Sequence, residues 1–194
     1  IKKTNINEKI IEIICTPIFN CFWFGRVNSI FSVGGAIVLI KNSFNPLIFF
    51  NYIKEFKINA ISGDTGIYLF LIKYFKKNLI QISKKILWIK IASQPMPLNK
   101  KKELMKIFLG AKIVMGYGLT EAMRTTLLSF FDEKRNLSSD GKVTKDIRIK
   151  ILNNNKQDLG RNNIGNVFIK GNHLAIGYLK KNRVWKNRMH KGYY

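Results

Sequence analysis

Residues 86–121 read ILWIKIASQPMPLNKKKELMKIFLGAKIVMGYGLTE, and the fold turns on this stretch. Ile86 to Ile91, bounded by Pro95 and Pro97, reads as a strand. Asn99 offers a cap for a helix whose inward stripe is Leu104, Ile107 and Phe108, with Gly110 placed to close it in the left-handed conformation. Lys112 to Met115 predicts the next strand, and it delivers the chain into Gly116-Tyr117-Gly118-Leu119-Thr120-Glu121.

Upstream the same alternation repeats. Ala36 to Ile40 is wholly apolar and predicts a strand covered on both faces. Asn45-Pro46 supplies an N-cap and a first-turn proline, after which Phe49, Ile53 and Phe56 recur on one helical face. Ile58 to Ile61 predicts a strand and Ile67 to Lys77 a helix. Strands alternating with helices of this length imply right-handed βαβ units and a parallel sheet, whose ligands bind beyond the carboxyl ends of the strands. Gly116 to Glu121 sits at such an end.

The hexad has the chemistry of a phosphate site. Its glycines permit close backbone approach, and free N–H groups with the Thr120 hydroxyl can donate to a phosphate. Glu121 would repel that phosphate unless a hard cation such as Mg²⁺ lay between them. A second reading stays open on these residues alone: Thr-Glu is a good helix start, and Glu121 can favour a helix N-terminus through the macrodipole.

Beyond residue 130 the pattern changes. Asp146 to Leu152 alternates Ile147, Ile149 and Ile151 with Arg148 and Lys150, the period of a half-exposed strand. Asn153 to Asn155 makes a turn, and Gly165 to Gly171 predicts another strand. The expected architecture is α/β: a mostly parallel sheet layered with helices over 1–135, then a smaller antiparallel β subdomain over 136–194.

The formal charge of +23 points at first to a nucleic-acid or anionic-membrane partner. Yet 27 of the 34 basic residues are Lys, scattered in twos and threes among 29 Ile and 20 Asn. These are residues of A/T-rich codons, so compositional bias with solvated faces accounts for the charge without a polyanion. Cys15 and Cys21 complete no zinc pattern and read as reduced core thiols, while His173 and His190 stand apart as packing or surface residues. The uncharged runs Ile13 to Gly25 and Val27 to Ile40 are shorter than a membrane span and no signal peptide is visible, so a cytoplasmic protein is expected. A first residue Ile1 and an abrupt last residue Tyr194 read as a piece of a longer chain.

The order of segments resembles the adenylate-forming enzymes: acyl-CoA synthetases, amino-acid adenylation domains and luciferases. Ser93-Gln94-Pro95-Met96 stands in the slot of their "SGGAP" or "SAPM" turn, with Gln94 where a small residue is usual. Tyr117-Gly118-Leu119-Thr120-Glu121 matches their "YGxTE" without a departure. Downstream, GKVTKDIRIKILNNNKQDLGRNNIGNVFIKGNHLAIGYLK is similar to their "GKPxPGxEIKIVD…GExGEIxVRG…GYW", with Asn166, Lys170 and Leu179 in place of the usual Glu, Arg and Trp. Upstream, residues 16–40 resemble "LPLFHxxGL…GAxVVL", with Asn20 where many members have His.

The resemblance implies a role for each matching residue. Ser93, Gln94 and Pro95 would lie along the adenine by backbone contact, and Tyr117 would stack on it. Thr120 would bond the α-phosphate, Glu121 would hold Mg²⁺, and Gly116 and Gly118 would border an acyl channel. The implied reaction joins a carboxylic acid to ATP as acyl-AMP and then passes the acyl group to coenzyme A or a carrier-protein thiol. The family's phosphate loop, its "TGD" segment and its C-terminal domain with a catalytic Lys have no counterpart in these residues, so the chain by itself is expected to be inactive.

The aromatics Phe19, Phe22, Trp23, Phe24 and Phe31 suit a fatty or aryl acid, or the core. Asp64 is the one acidic candidate nearby for an amino-acid ammonium, and Arg124 would pair with an acidic substrate, pair with Glu121, or face solvent. An amino-acid adenylation domain and a basic, non-catalytic module for nucleic acid or membrane remain the alternatives.

Overall fold

The computed structural model describes residues 6–41 and 43–194. The strands are β1 (Ile11–Ile14), β2 (Ala36–Leu39), β3 (Ala60–Asp64), β4 (Trp88–Ala92), β5 (Lys112–Tyr117), β6 (Thr126–Ser129), β7 (Lys142–Val143), β8 (Arg148–Leu152) and β9 (Asn166–Lys170). The helices are α1 (Cys21–Phe31), α2 (Pro46–Glu55), α3 (Thr65–Tyr74), α4 (Lys76–Ile82), α5 (Leu98–Ile107) and α6 (Asn182–Arg188). A mostly parallel seven-stranded sheet runs in the order β2-β1-β3-β4-β5-β6-β7, and β8 and β9 form a separate antiparallel pair. The α/β architecture with an appended antiparallel pair is the one expected.

The chain forms two compact units that alternate along its length. One holds the described residues up to Gly116 together with Leu128–Gly141, and the other holds Tyr117–Leu127 with Lys142–Tyr194.

In the first unit β2, β1, β3, β4 and β5 pair in parallel. Residues Ile13, Ile61, Ile89, Ile91 and Ile113 build the larger core with Phe49, Tyr68, Leu71 and Leu104 from the helices. Ile14 and Ala92 instead join Trp23 of α1 in a smaller cluster. On this second face Glu12 is fully buried and takes Arg26 Nε at 2.7 Å and Ser62 Oγ at 2.5 Å. Helix α2 begins as expected: the Asn45 side chain accepts from the N–H groups of Leu47 and Ile48, with Pro46 in the first turn.

Several expectations fail locally. β2 is the edge of the sheet rather than a strand covered on both faces, and Leu39 is 46% exposed. The single helix expected over 67–77 breaks at Phe75, whose φ of −129° separates α3 from α4. Pro97, not Asn99, caps α5, and Phe108 ends it while Gly110 keeps out of the left-handed region. Local sequence signals set each expectation, and backbone dihedrals and sheet order overrode them.

In the second unit β6 pairs antiparallel with β7, and β8 with β9. Exposure alternates along β8 as its isoleucines require. Tyr194 exchanges both backbone hydrogen bonds with Ile169 at 2.8 Å, so the end of the chain lies along β9.

Candidate functional site

In the first unit the loop after β4 and the end of β5 lie at one edge of the sheet, because Ile91 and Met115 are parallel register partners. Ser93 takes a φ of +83°, a strained choice for a residue with a side chain. The backbone of Gln94 is held by Thr65 Oγ1, which donates to its carbonyl at 2.6 Å. Ser93, Gln94 and Pro95 are exposed while Met96 is buried, so the loop is anchored behind and open in front. Gly116 is buried in β5 on the same edge.

Tyr117 ends β5 and is the first residue of the second unit. Leu119 and Ala122 exchange backbone hydrogen bonds at 3.1 Å in both directions, which puts Thr120 and Glu121 at the tip of a tight two-residue turn. No helix follows: the chain passes directly into β6. The reading of Thr120-Glu121 as a helix start therefore falls, and the acid needs another explanation.

Glu121 is held by its own unit. The Tyr178 hydroxyl donates to Glu121 Oε1, and Tyr178 meets the Tyr194 hydroxyl at 2.9 Å. Arg188 Nη1 donates to Tyr194 at 3.0 Å, and Trp185 stacks on the Tyr194 ring at 5.0 Å while meeting Tyr178 edge-on at 5.5 Å. The Glu121 carbonyl also accepts from Ala175 N–H at 2.8 Å. The Tyr178 hydrogen bond draws the Glu121 pKa below the usual glutamate value, and the same bond pushes Tyr178 up. The carboxylate is thus kept ionised and directed.

This donor set fits a hard cation shared with a ligand. An ionised carboxylate beside a hydroxyl is the oxygen chemistry Mg²⁺ takes, and Mg²⁺ is commonly bound by one or two carboxylates plus substrate phosphates. Among the described residues no three His, Cys, Asp or Glu side chains gather as a self-sufficient cage.

The remaining candidates separate. Asp64 caps α3 by accepting from Ile67 N–H at 2.9 Å, a structural duty. Arg124 takes a φ of +58° in the turn before β6, and its carbonyl accepts from Thr144 Oγ1 at 3.1 Å. Of the early aromatics, Trp23 is core, whereas Phe19, Phe24 and Phe31 are 89%, 57% and 60% exposed. Cys15 is a buried free thiol raised in pKa chiefly by burial, and Cys21, half-buried, is in no disulfide. His173 also lies low in pKa through burial, with Nε2 at 3.3 Å from Thr125 Oγ1. Sequence reasoning missed the Tyr178-Tyr194-Arg188 support, since residues 57 positions apart give no local signal. The Gly-Tyr of the matched "GYW" segment was the one available clue.

A model of the AMP-binding enzyme family matches residues 3–179. The chain is 26% identical over 180 residues to the acyl-CoA ligase sidI of Aspergillus fumigatus, covering 89% of this chain and 30% of that protein. It is 27% identical over 184 residues to 4-coumarate–CoA ligase 2 of Nicotiana tabacum, covering 90% and 33%. It thus spans about a third of the length of these curated relatives. Among solved structures it is similar to o-succinylbenzoate coenzyme A synthetase from Bacillus subtilis in complex with ATP and magnesium ion, with a TM-score of 0.83 at 20% identity over 99% of this chain and 39% of that one. The N-terminal domain of FACL13 from Mycobacterium tuberculosis gives a TM-score of 0.83 at 18% identity, over 100% of this chain and 48% of that one. At these identities the two structures speak for the fold.

Proposed function

The chain belongs to the AMP-binding enzyme family, and we propose that it is the nucleotide- and acyl-binding part of an ATP-dependent acid–thiol ligase that makes acyl-AMP from a fatty or aryl acid. Coenzyme A is the proposed thiol acceptor, in keeping with the names of the relatives. The observation that carries the reading is Glu121, at the tip of a tight turn with no helix behind it and with Tyr178 donating to one carboxylate oxygen.

In this reading each residue has a definite task. Ser93, Gln94 and Pro95 offer an open, anchored backbone edge to the adenine, and Tyr117 offers a ring to its face. Thr120 donates to the α-phosphate. Glu121, oriented by Tyr178, supplies the carboxylate oxygen for Mg²⁺. Gly116 and Gly118 leave the acyl path free of side chains. Mg²⁺ would neutralise charge between the incoming carboxylate and the triphosphate, which otherwise repel each other. The exposed aromatics Phe19, Phe24 and Phe31 and the absence of a free Asp64 favour a fatty or aryl acid over an amino acid. Among the described residues no helix is long and apolar enough to cross a membrane, and the reading places the enzyme in the cytoplasm.

Calorimetric titration of the chain with AMP, with and without Mg²⁺, tests the proposal. Saturable binding weakened by Tyr117→Ala, with a Mg²⁺ dependence lost in Glu121→Gln, is expected. No AMP binding, or salt-sensitive DNA binding indifferent to Glu121→Ala, would replace it with the basic-module reading.

A further inference from the structure

The β8–β9 pair sets two cations of like sign against each other. Arg148 is the direct register partner of Lys170, so both side chains leave the same face of the hairpin, where opposed like charges repel. Two positions along the same face, Lys150 is neutralised by Asp158 at 2.9 Å. Among the described residues neither Arg148 nor Lys170 has such an ion pair.

Both cations line a cavity of about 340 Å³, together with Asp146, Gly171, Asn172 and Gly192. Its size falls at the low end of the roughly 300–1,000 Å³ typical of small-molecule sites, which suits a compact ligand rather than a polymer backbone. Its walls are placed rather than loose. Lys170 reaches across the Tyr193 ring with Nζ at 5.5 Å from the centroid. Gly192 has a φ of +79°, and a Cβ there would stand 3.2 Å from Lys170 Nζ, so a side chain would crowd the ammonium. The backbone N–H groups of Gly171, Asn172 and Gly192 have no protein acceptor among the described residues. Cations with free N–H groups beside glycines are the chemistry of a phosphate site. Asp146 opposes an anion, and its carboxylate instead suits a hydroxyl donor on the same ligand.

We infer that this cavity binds a small hydroxylated phosphomonoester, its phosphate between Arg148 and Lys170 and a hydroxyl on Asp146. The site is separate from the adenylate reading above, which it neither needs nor supports.

Amide-resolved NMR titrations of the 194-residue chain with inorganic phosphate, ribose 5-phosphate and phosphatidic acid vesicles test it. Saturable shifts at Gly171, Asn172 and Gly192 are expected with both soluble phosphates, ribose 5-phosphate binding several-fold more tightly. Asp146→Asn should abolish that preference. Arg148→Gln with Lys170→Gln should weaken binding by roughly tenfold or more, as loss of charge-assisted bonds does. Lys180→Gln with Lys181→Gln should leave it intact, and so should Glu121→Gln. If the double variant fails to fold, Arg148→Gln alone decides, because it keeps the strand pairing and removes a repulsion; unchanged affinity in it overturns the assignment. So do the absence of saturable shifts at these amides, equal weakening by the two lysine substitutions at 180 and 181, or shifts produced by vesicles alone.

Discussion

A methyl group at position 118 would stand 2.7 Å from the backbone nitrogen of Arg124 and 2.8 Å from the carbonyl oxygen of Ala122. Backbone atoms cannot swing aside as a flexible side chain does, so glycine here is demanded by the turn itself. Gly118→Ala is expected to lower stability by about 1–3 kcal/mol, the usual range for forced overpacking, measured by urea unfolding. Tyr178 works differently. Tyr178→Phe keeps the ring against Trp185 but removes the donor to Glu121. Since loss of a group that orients a metal ligand typically weakens metal affinity 10–100-fold, Mg²⁺-dependent AMP binding should fall by roughly tenfold, with Mg²⁺-independent binding unchanged. An equal loss in both would make Tyr178 merely structural.

At the scale of elements, the first sheet carries a buried charge pair on the face that also buries Ser62 and Lys90. Removing one partner strands the other: Glu12→Gln leaves the Arg26 guanidinium, 6% exposed, without its carboxylate. A loss of about 3–5 kcal/mol is expected from chemical unfolding, as for other broken buried pairs. Helix α5 holds a further buried cation. Lys101 Nζ donates to the carbonyls of Leu137 at 2.8 Å and Ser139 at 3.3 Å, tying the returning segment to the helix, and burial lowers its pKa below 10.5. The unfolded chain therefore holds more protons between the lowered value and 10.5, so stability rises with pH across that window. The difference in unfolding free energy between wild type and Lys101→Met should grow in favour of wild type as pH is raised from neutrality through it.

Legibility in the sequence divides along the same line. Helix α2 was readable because Asn45, Pro46 and the Phe49-Ile53 stripe act within two turns. The exposed edge position of β2 was not, because Ala36–Leu39 carries the apolar run of an interior strand and only sheet order decides its neighbours. The turn bearing Thr120 and Glu121 was visible as a motif, but its support from Tyr178, Arg188 and Tyr194 was not. A triplet of residues converging from one distant segment leaves no periodicity to read.

For the whole molecule, charge is the dominant global quantity. With 34 basic residues offset by only 11 acidic ones, the net +23 on 194 residues repels itself. Salt screens such repulsion as the Debye length falls from ~30 Å at 0.01 M to ~10 Å at 0.1 M. Thermal unfolding should accordingly move to higher temperature over that range, and a flat response would mean the cations are already compensated locally. The chain spans about a third of the curated relatives, so carboxylate-dependent ATP–pyrophosphate exchange should be undetectable for these 194 residues, and measurable exchange would refute that expectation.

The polypeptide leaves the first unit after Gly116, re-enters it at Leu128 and departs again after Gly141. Each unit is therefore stitched from separate stretches, and no single truncation can liberate either one intact. Genetic dissection would need circular permutation or a linker bridging Gly116 to Leu128, and a protease nick between Leu127 and Leu128 would leave two pieces that each carry parts of both units.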